Sequence, residues 1–276
     1  MFATRAPALI DEAGQLPVLG PLLQRIHWRR FCAARGVIRR FHGIYADFAA
    51  ARRAIPPSLL EGYDNEPSAT LLADERLRVI PLDYPILFWL EKLLPGCRLL
   101  FDFGGNVGIS YFGFRKYLSY PAQLTWLVED VPAVVRAGER LAHAERASQL
   151  RFTITLDELP GADILLALGS LHFIDDPISM LRTLPALPPH ILLNKVPVGD
   201  RPAIVTLHNT GAALCPYNLF NRQQFLGSFQ EMGYELVDTW ETPELGIRIP
   251  LHRDHSLRAY SGFYLRSRQA LPAVST

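Results

Sequence analysis

The chain reads as an α/β fold built on a mostly parallel seven-stranded sheet, and three observations predict it. From Arg98 onward short apolar runs alternate with helix-forming segments, the rhythm of βαβ units with right-handed crossovers. The run Leu99-Leu100-Phe101-Asp102-Phe103 empties into Gly104-Gly105-Asn106-Val107-Gly108 and then into a helix. An α/β protein holds a nucleotide at such a turn, on the carboxyl edge of the sheet. Finally, 276 residues with 49% hydrophobic content suffice for one full core and a smaller attached part.

Taken in order, residues 1–78 are expected to form an N-terminal helical cover, with helices over 21–34 and 37–54 and a short element near Leu59. Pro56-Pro57 closes the second helix, because proline lacks the amide donor and clashes with the preceding turn. Tyr63-Asp64-Asn65-Glu66-Pro67 reads as a turn. A helix over 84–94 carries Ile86, Leu87, Trp89, Leu90, Leu93 and Leu94, too apolar for a free surface, and should pack on the sheet. Residues 79–268 form the main domain. Its strands are expected at 99–103, 124–128, 151–155, 163–168 and 191–196, with an extra one at 203–208 and a final pair at 234–239 and 260–265. Helices are expected at 109–118, after Pro132, at 176–184, and at 222–232 with Gly233 ending the last. Residues 208–221 read as a long polar and aromatic loop, and 269–276 as a loose tail.

Charge and cysteine content narrow the class. A net charge of +1 gives no electrostatic case for a nucleic-acid partner. One basic stretch stands out: Arg25, Arg29, Arg30, Arg35, Arg39, Arg40, Arg52 and Arg53 against the single acid Asp47, open to a membrane surface, an acidic partner or a plain solvated face. Cys32, Cys97 and Cys215 are too few and too scattered for a disulfide framework or a zinc cluster, which fits a reducing cytoplasm. Asp11 and Glu12 stand where a signal peptide needs an apolar core. Glu91, Lys92 and Pro95 interrupt the most apolar stretch, so no membrane insertion is expected.

Glycine spacing selects the nucleotide. A dinucleotide fingerprint would place glycines where Asn106 and Ile109 stand, and the phosphate-cradling Gly-Lys-Ser/Thr loop is absent. What remains, acid-x-Gly-x-x-x-Gly with Asp102, Gly104 and Gly108, resembles motif I of the class I S-adenosylmethionine-dependent methyltransferases. Phe41-His42-Gly43-Ile44-Tyr45, Gly62-Tyr63-Asp64, Tyr111-Phe112, Ser170-Leu171 and Gly233-Tyr234-Glu235-Leu236 extend the likeness over residues 40–265. Together they resemble a bacterial methyltransferase-like family of biosynthetic gene clusters, some of whose members are associated with cyclising the cofactor to azetidine-2-carboxylate. The resemblance implies a Rossmann-like fold with an antiparallel last strand, and S-adenosylmethionine as cosubstrate.

Under that resemblance three places converge on the cofactor. Gly104, Gly105, Asn106 and Gly108 run beneath the methionine part, where backbone amides and the helix N-terminus favour a carboxylate, and Asp102 accepts from the amino group. Asn106 replaces the usual middle glycine, and asparagine tolerates left-handed backbone. Asp130, with Glu129 as second choice, supplies the paired acceptors for the ribose hydroxyls; Asp130-Val131-Pro132 resembles the Asp-Leu-Pro of small-molecule O-methyltransferases. Leu156 and Asp157 are the adenine candidates. Beyond the fourth expected strand, 163–168, Ser170 adjoins the cofactor and His172 offers a base suited to neutral pH.

His208, Tyr217 and Asn218 are the remaining substrate-side candidates. Each has an ordinary alternative as core packing or turn chemistry. No Asn-Pro-Pro-Tyr or Pro-Cys nucleophile motif is present, and no metal is expected. The function that follows is methyl transfer to an O or N nucleophile of a small molecule in bacterial secondary metabolism. Two alternatives stay open: cyclisation, in which the cofactor's α-amine attacks its own γ-carbon to release methylthioadenosine, and a non-catalytic cofactor-binding subunit.

Overall fold

The computed structural model describes residues 19–35, 40–71 and 78–270. Within them the chain runs α1 (Leu19–Ala33), β1 (Arg40–Tyr45), α2 (Phe48–Arg53), α3 (Glu66–Leu71), α4 (Tyr84–Leu93), β2 (Leu99–Phe103), α5 (Ile109–Phe114), β3 (Thr125–Glu129), α6 (Pro132–Ala144), β4 (Leu150–Thr153) and β5 (Ile164–Leu168). It continues through α7 (Pro177–Arg182), β6 (His190–Val196), β7 (Val198–Gly199), β8 (Ile204–Asn209), β9 (Leu214–Asn221), α8 (Arg222–Glu231), β10 (Tyr234–Thr242) and β11 (Tyr260–Ser267).

Seven strands make the main sheet in the order β10-β11-β6-β5-β2-β3-β4. Neighbours from β6 to β4 pair in parallel, whereas β11 is antiparallel to both β6 and β10, as the resemblance implies. The central strands are continuous apolar runs because both faces are covered. On one face α4 and α5 bury Ile86, Leu90, Phe112 and Phe114 against Leu100, Trp126 and Val128. On the other, Leu181 of α7 and Phe225 and Phe229 of α8 meet Phe101, Leu165 and Leu193. The chain leaves β2 for β3 on one side, and β5 and β6 lie on the other. The crevice where strand order reverses therefore opens at the carboxyl ends of β2 and β5.

A second, four-stranded sheet, β1-β8-β9-β7, departs from two expectations. The helix expected over 37–54 is instead strand β1 followed by the short helix α2. Gly43 sits at φ 72°, outside helical backbone, and α2 begins anew where Asp47 Oδ1 accepts from Ala50 N at 2.6 Å. What makes 40–45 a strand is β8, paired antiparallel with Phe41 opposite His208, a partner no local pattern reveals. The loop expected over 208–221 is instead the end of β8, a turn at Thr210–Ala213, and strand β9. Buried on both sides from Leu214 to Leu219, β9 lacks an alternating pattern, and Pro216 disguises it. Proline is tolerated there because β7 reaches only Phe220 and Asn221, leaving β9 with β8 on one side at Pro216. The cover over 1–78 thus contains a strand as well as helices. The expected tail falls partly in a 3-10 turn, Arg268–Ala270, and otherwise outside the described residues.

Candidate functional site

At the crevice, β2 ends in a turn whose backbone only small or amide residues tolerate. Gly104, Asn106 and Gly108 have φ of 65°, 54° and 85°. A Cβ on Gly104 would run into the Cβ of Ser170, and one on Gly105 would stand 2.5 Å from Cγ of Asp102. Asn106 meets its left-handed position as asparagine can, with Oδ1 accepting from Val107 N at 2.9 Å. The turn is tied to the neighbouring strands. Gly104 N donates to Glu129 O at 2.8 Å, Asn106 N to Asp130 Oδ2 at 2.9 Å, and Ser170 Oγ to Phe103 O at 2.6 Å. The second oxygen of Asp130 accepts from Val131 N at 2.8 Å, so two backbone amides fix this carboxylate where β3 ends.

Asp102 is the unusual group. It is 1% exposed; Oδ2 accepts from Trp126 Nε1 at 3.0 Å, and Oδ1 is buried with no hydrogen-bond partner. Burial pushes its carboxyl up to about 7, with Asp130 adding to the rise and the Trp126 bond opposing it. Burial likewise raises Glu129 to about 7, helped by Asp130, and Asp130 to about 6 against the pull of the Val131 and Asn106 amides. Burial thus raises three carboxyls around one turn, and among them Asp102 keeps a buried oxygen with no donor. Leu156 is half-buried against the core and Asp157 is exposed, accepting from Thr155 Oγ1 at 2.9 Å, so both flank the rim beyond β4.

Across the crevice lies an aromatic cluster that gathers three of the four expected substrate-side residues. The His172 ring lies 4.3 Å from that of Tyr217, and His208 5.2 Å from it. Phe41 stacks on His208 at 4.8 Å, while Phe173 meets Tyr217 edge-on at 5.1 Å. Tyr217 is 1% exposed and its hydroxyl bonds that of Tyr260 at 2.7 Å. Asn218, the fourth, donates from Nδ2 to Ile174 O at 2.8 Å and to Asp175 O at 3.1 Å, holding the loop after β5 against β9.

Several contributors carry no motif of their own. Trp126, two residues before Val128 on the face Asp102 shares, anchors the carboxylate; a tryptophan within a central strand needs an acceptor for its indole, the one signal that could have found it. Asp64, remote in sequence, accepts from Ala133 N at 2.8 Å and caps α6, whose own N-cap residue, Val131, has no side chain to do so. Ala69 of α3 packs on Val107 and Val134, and Tyr63 sets its ring edge-on to Phe173 at 5.1 Å. Residues 62–69 therefore lie over the turn. At the end of β6, Lys195 (φ 55°) pairs with buried Asp83 at 3.2 Å, and Asn194 bonds Leu82 O and Trp240 Nε1. Among the described residues no group of three His, Cys, Asp or Glu is placed to hold a metal ion, and no helix is long and apolar enough to cross a membrane.

No protein-family model and no curated protein matches the chain. Solved structures do. A chain of the Haloferax volcanii complex containing the Trm112 methyltransferase activator matches over 75% of this chain and 97% of its own, with 12% identity and a TM-score of 0.50. The Burkholderia thailandensis 1,6-didemethyltoxoflavin-N1-methyltransferase, solved with 1,6-didemethyltoxoflavin and S-adenosylhomocysteine, matches over 68% and 78%, with 18% identity and a TM-score of 0.46. At these identities the likeness is one of fold. The shared fold is a Rossmann-like α/β sandwich, with the sheet order described above.

Proposed function

We propose that the chain binds S-adenosylmethionine along the Gly104–Gly108 turn and transfers its methyl group to an oxygen or nitrogen of a small molecule. The observation that carries this reading is Asp102, a buried carboxylate with one oxygen bonded to Trp126 and the other without a partner. An unpaired buried acceptor is costly, and a ligand ammonium satisfies it. The turn amides and the start of α5 receive the ligand carboxylate. Asp130, oriented by its two amides, presents its remaining lone pairs to the ribose hydroxyls, with Glu129 as second acceptor. Leu156 and Asp157 face the adenine.

Bound, S-adenosylmethionine supplies a methyl carbon already activated by the adjoining sulfonium. The chain's part is to align an acceptor and exclude water. Tyr63, Phe173 and Tyr217 form the apolar wall that does so, Ser170 and Asn218 hold the loop between cofactor and acceptor, and His172 takes the proton that an O–H or N–H acceptor sheds. His208 lies behind Tyr217 and shapes the wall.

Purified protein titrated with S-adenosylhomocysteine, then incubated with S-adenosylmethionine and an acceptor panel, tests the reading by calorimetry and mass spectrometry. Saturable binding and acceptor-dependent S-adenosylhomocysteine are expected. Absence of binding removes the proposal. Methylthioadenosine with azetidine-2-carboxylate from the cofactor alone replaces transfer by cyclisation.

A further inference from the structure

The ion pair at the end of β6 has no part in the transfer reading, yet the backbone beneath it is unusual. Between β6 and β11 the register slips: Val196 stands opposite Ser261 and Leu193 opposite Phe263, so three steps on β6 match two on β11. This is a β-bulge, and its surplus residue is Lys195, at the left-handed φ of 55°. Alternation along β6 sends Ile191 and Leu193 into the core under α7 and α8, and it would send Lys195 there next. The bulge gives that place to Val196 and frees the lysine to turn to the carboxyl edge of the sheet. Such backbone is costly for a residue with a side chain, and bulges beside active sites re-aim one.

The side chain so placed is held from two directions. Its Cβ and Cδ lie 3.6 and 3.7 Å from where a Cβ on Gly169 would stand, so the stem passes over the residue before Ser170, which itself packs on Gly104 of the glycine turn. Nζ meets Asp83 Oδ1 at 3.2 Å, and Asp83, buried, accepts from Ile80 N on Oδ2 at 3.1 Å. That contact uses one of the three ammonium protons. The lysine side chain is 26% exposed, and among the described residues Nζ has no further partner. A pin between β6 and the segment before α4 does not need this lysine, because Asn194 Nδ2 already makes that link to Leu82 O at 2.8 Å.

We infer that Lys195 binds a carboxylate of the acceptor and so sets which small molecules the crevice takes. Around the glycine turn stand Asp102, Glu129 and Asp130, which disfavour an anion there. On the β6 side a carboxylate instead meets an ammonium with two protons left to give, and a hydrogen bond between charged groups is about twice as strong as a neutral one. Asp83 orients this ammonium rather than consuming it: the group is tetrahedral, so its remaining protons point away from the buried carboxylate. Naming the carboxylate as the acceptor's rests on the transfer reading above; carboxylate binding at Lys195 does not.

The test uses probes of one shape that differ in charge, 4-hydroxybenzoate against 4-hydroxybenzamide and indole-3-carboxylate against indole-3-carboxamide. Each is titrated by calorimetry and saturation-transfer NMR into the full chain, with and without S-adenosylhomocysteine, for wild type, Lys195→Met, Lys195→Arg and Asp83→Asn. Wild type is expected to bind the carboxylate of a pair about tenfold or more tightly than the amide, and Lys195→Met, which keeps much of the stem, to lose that preference. Lys195→Arg should keep part of it. Asp83→Asn removes the ion pair but not the ammonium, so the preference should survive there whatever the variant loses in melting temperature. A preference lost equally in Lys195→Met and Asp83→Asn is the mark of a structural pin and would overturn the inference, as would no preference for either carboxylate in wild type. A fall in S-adenosylhomocysteine affinity in Lys195→Met with the probe preference intact would overturn it too, by giving the ammonium to the cofactor's carboxylate. Carboxylate-selective binding in a wild type that binds no S-adenosylhomocysteine would remove the transfer reading and leave the lysine site standing.

Discussion

The two walls of the crevice are built on opposite plans. The wall formed by β2, β3 and the glycine turn holds three left-handed backbone positions and three carboxyls pushed toward neutrality by burial, one of them with an unpaired oxygen. The wall formed by β1, β8, β9 and the loop after β5 is ring packed on ring, with Tyr217 1% exposed and bonded to Tyr260 at the start of β11. The first wall carries a buried carboxylate oxygen that a ligand cation can meet; the second is closed by ring packing. On the proposed reading, the unpaired carboxylate oxygen marks the side that binds and close packing marks the side that shapes.

The sharpest way to break this contrast is Asp102→Asn. The substitution keeps an oxygen for Trp126 but removes the charge, so S-adenosylhomocysteine affinity should fall about a hundredfold, the scale of a charge-assisted bond lost from a buried site. Stability should move the other way. The folded carboxyl is raised to about 7 from an ordinary value of 3.8, so its bound proton favours the folded state. That contribution is fully present below about pH 4 and is lost as pH rises through 7. At pH 8 the wild type bears the whole cost of the buried charge, and Asp102→Asn should melt at a higher temperature there than the wild type does. A lower melting temperature together with unchanged affinity would place the binding wall elsewhere.

That asymmetry also explains what the sequence reveals. Gly104, Gly108, Asp102 and Asp130 are legible because a strand, a tight turn and a helix start lie within some thirty residues, and the local backbone demands glycine or asparagine at the left-handed positions. Strands β8 and β1 were harder: the 203–208 run could be read from its own residues, but its partner at 40–45 looked helical because only pairing with β8 makes it extended. Pro216 hid β9 in the same way. Asp64 and Trp126 could not be assigned roles without the fold, since each acts on an element distant in sequence or on a neighbouring strand.

A second measurement sharpens the contrast without a mutation. A ligand ammonium placed beside Asp102 lowers its proton affinity, so cofactor binding between pH 6 and 8 should release protons. Calorimetry in buffers of differing ionisation enthalpy should detect the release in wild type and much less of it in Asp102→Asn. Proton uptake instead would reverse the assignment of charge at this wall.

On the packed wall, Tyr217→Phe should behave differently. It removes one hydroxyl from the Tyr217–Tyr260 bond and costs about 1–2 kcal/mol of folding stability, read as a lower denaturant midpoint. S-Adenosylhomocysteine affinity should hold, because the ring remains and the residue lies across the crevice from the carboxyl cluster. A cofactor affinity loss comparable with that of Asp102→Asn would erase the distinction between the walls.

The smallest expected effect lies where the two plans meet. Asp64 comes from the covering segment that also sets Tyr63 against Phe173, yet its carboxylate caps α6 beside the glycine turn at Ala133 N. Asp64→Ala should cost about 1 kcal/mol, the usual value of a lost helix cap, and Asp64→Asn, which can still accept that bond, should recover most of it. Because Ala69 keeps its own contact with Val107 and Val134, the segment stays docked, and cofactor affinity should drop only severalfold. If Asp64→Ala abolished cofactor binding while leaving the melting temperature untouched, the segment would belong to the binding wall itself rather than lie over it.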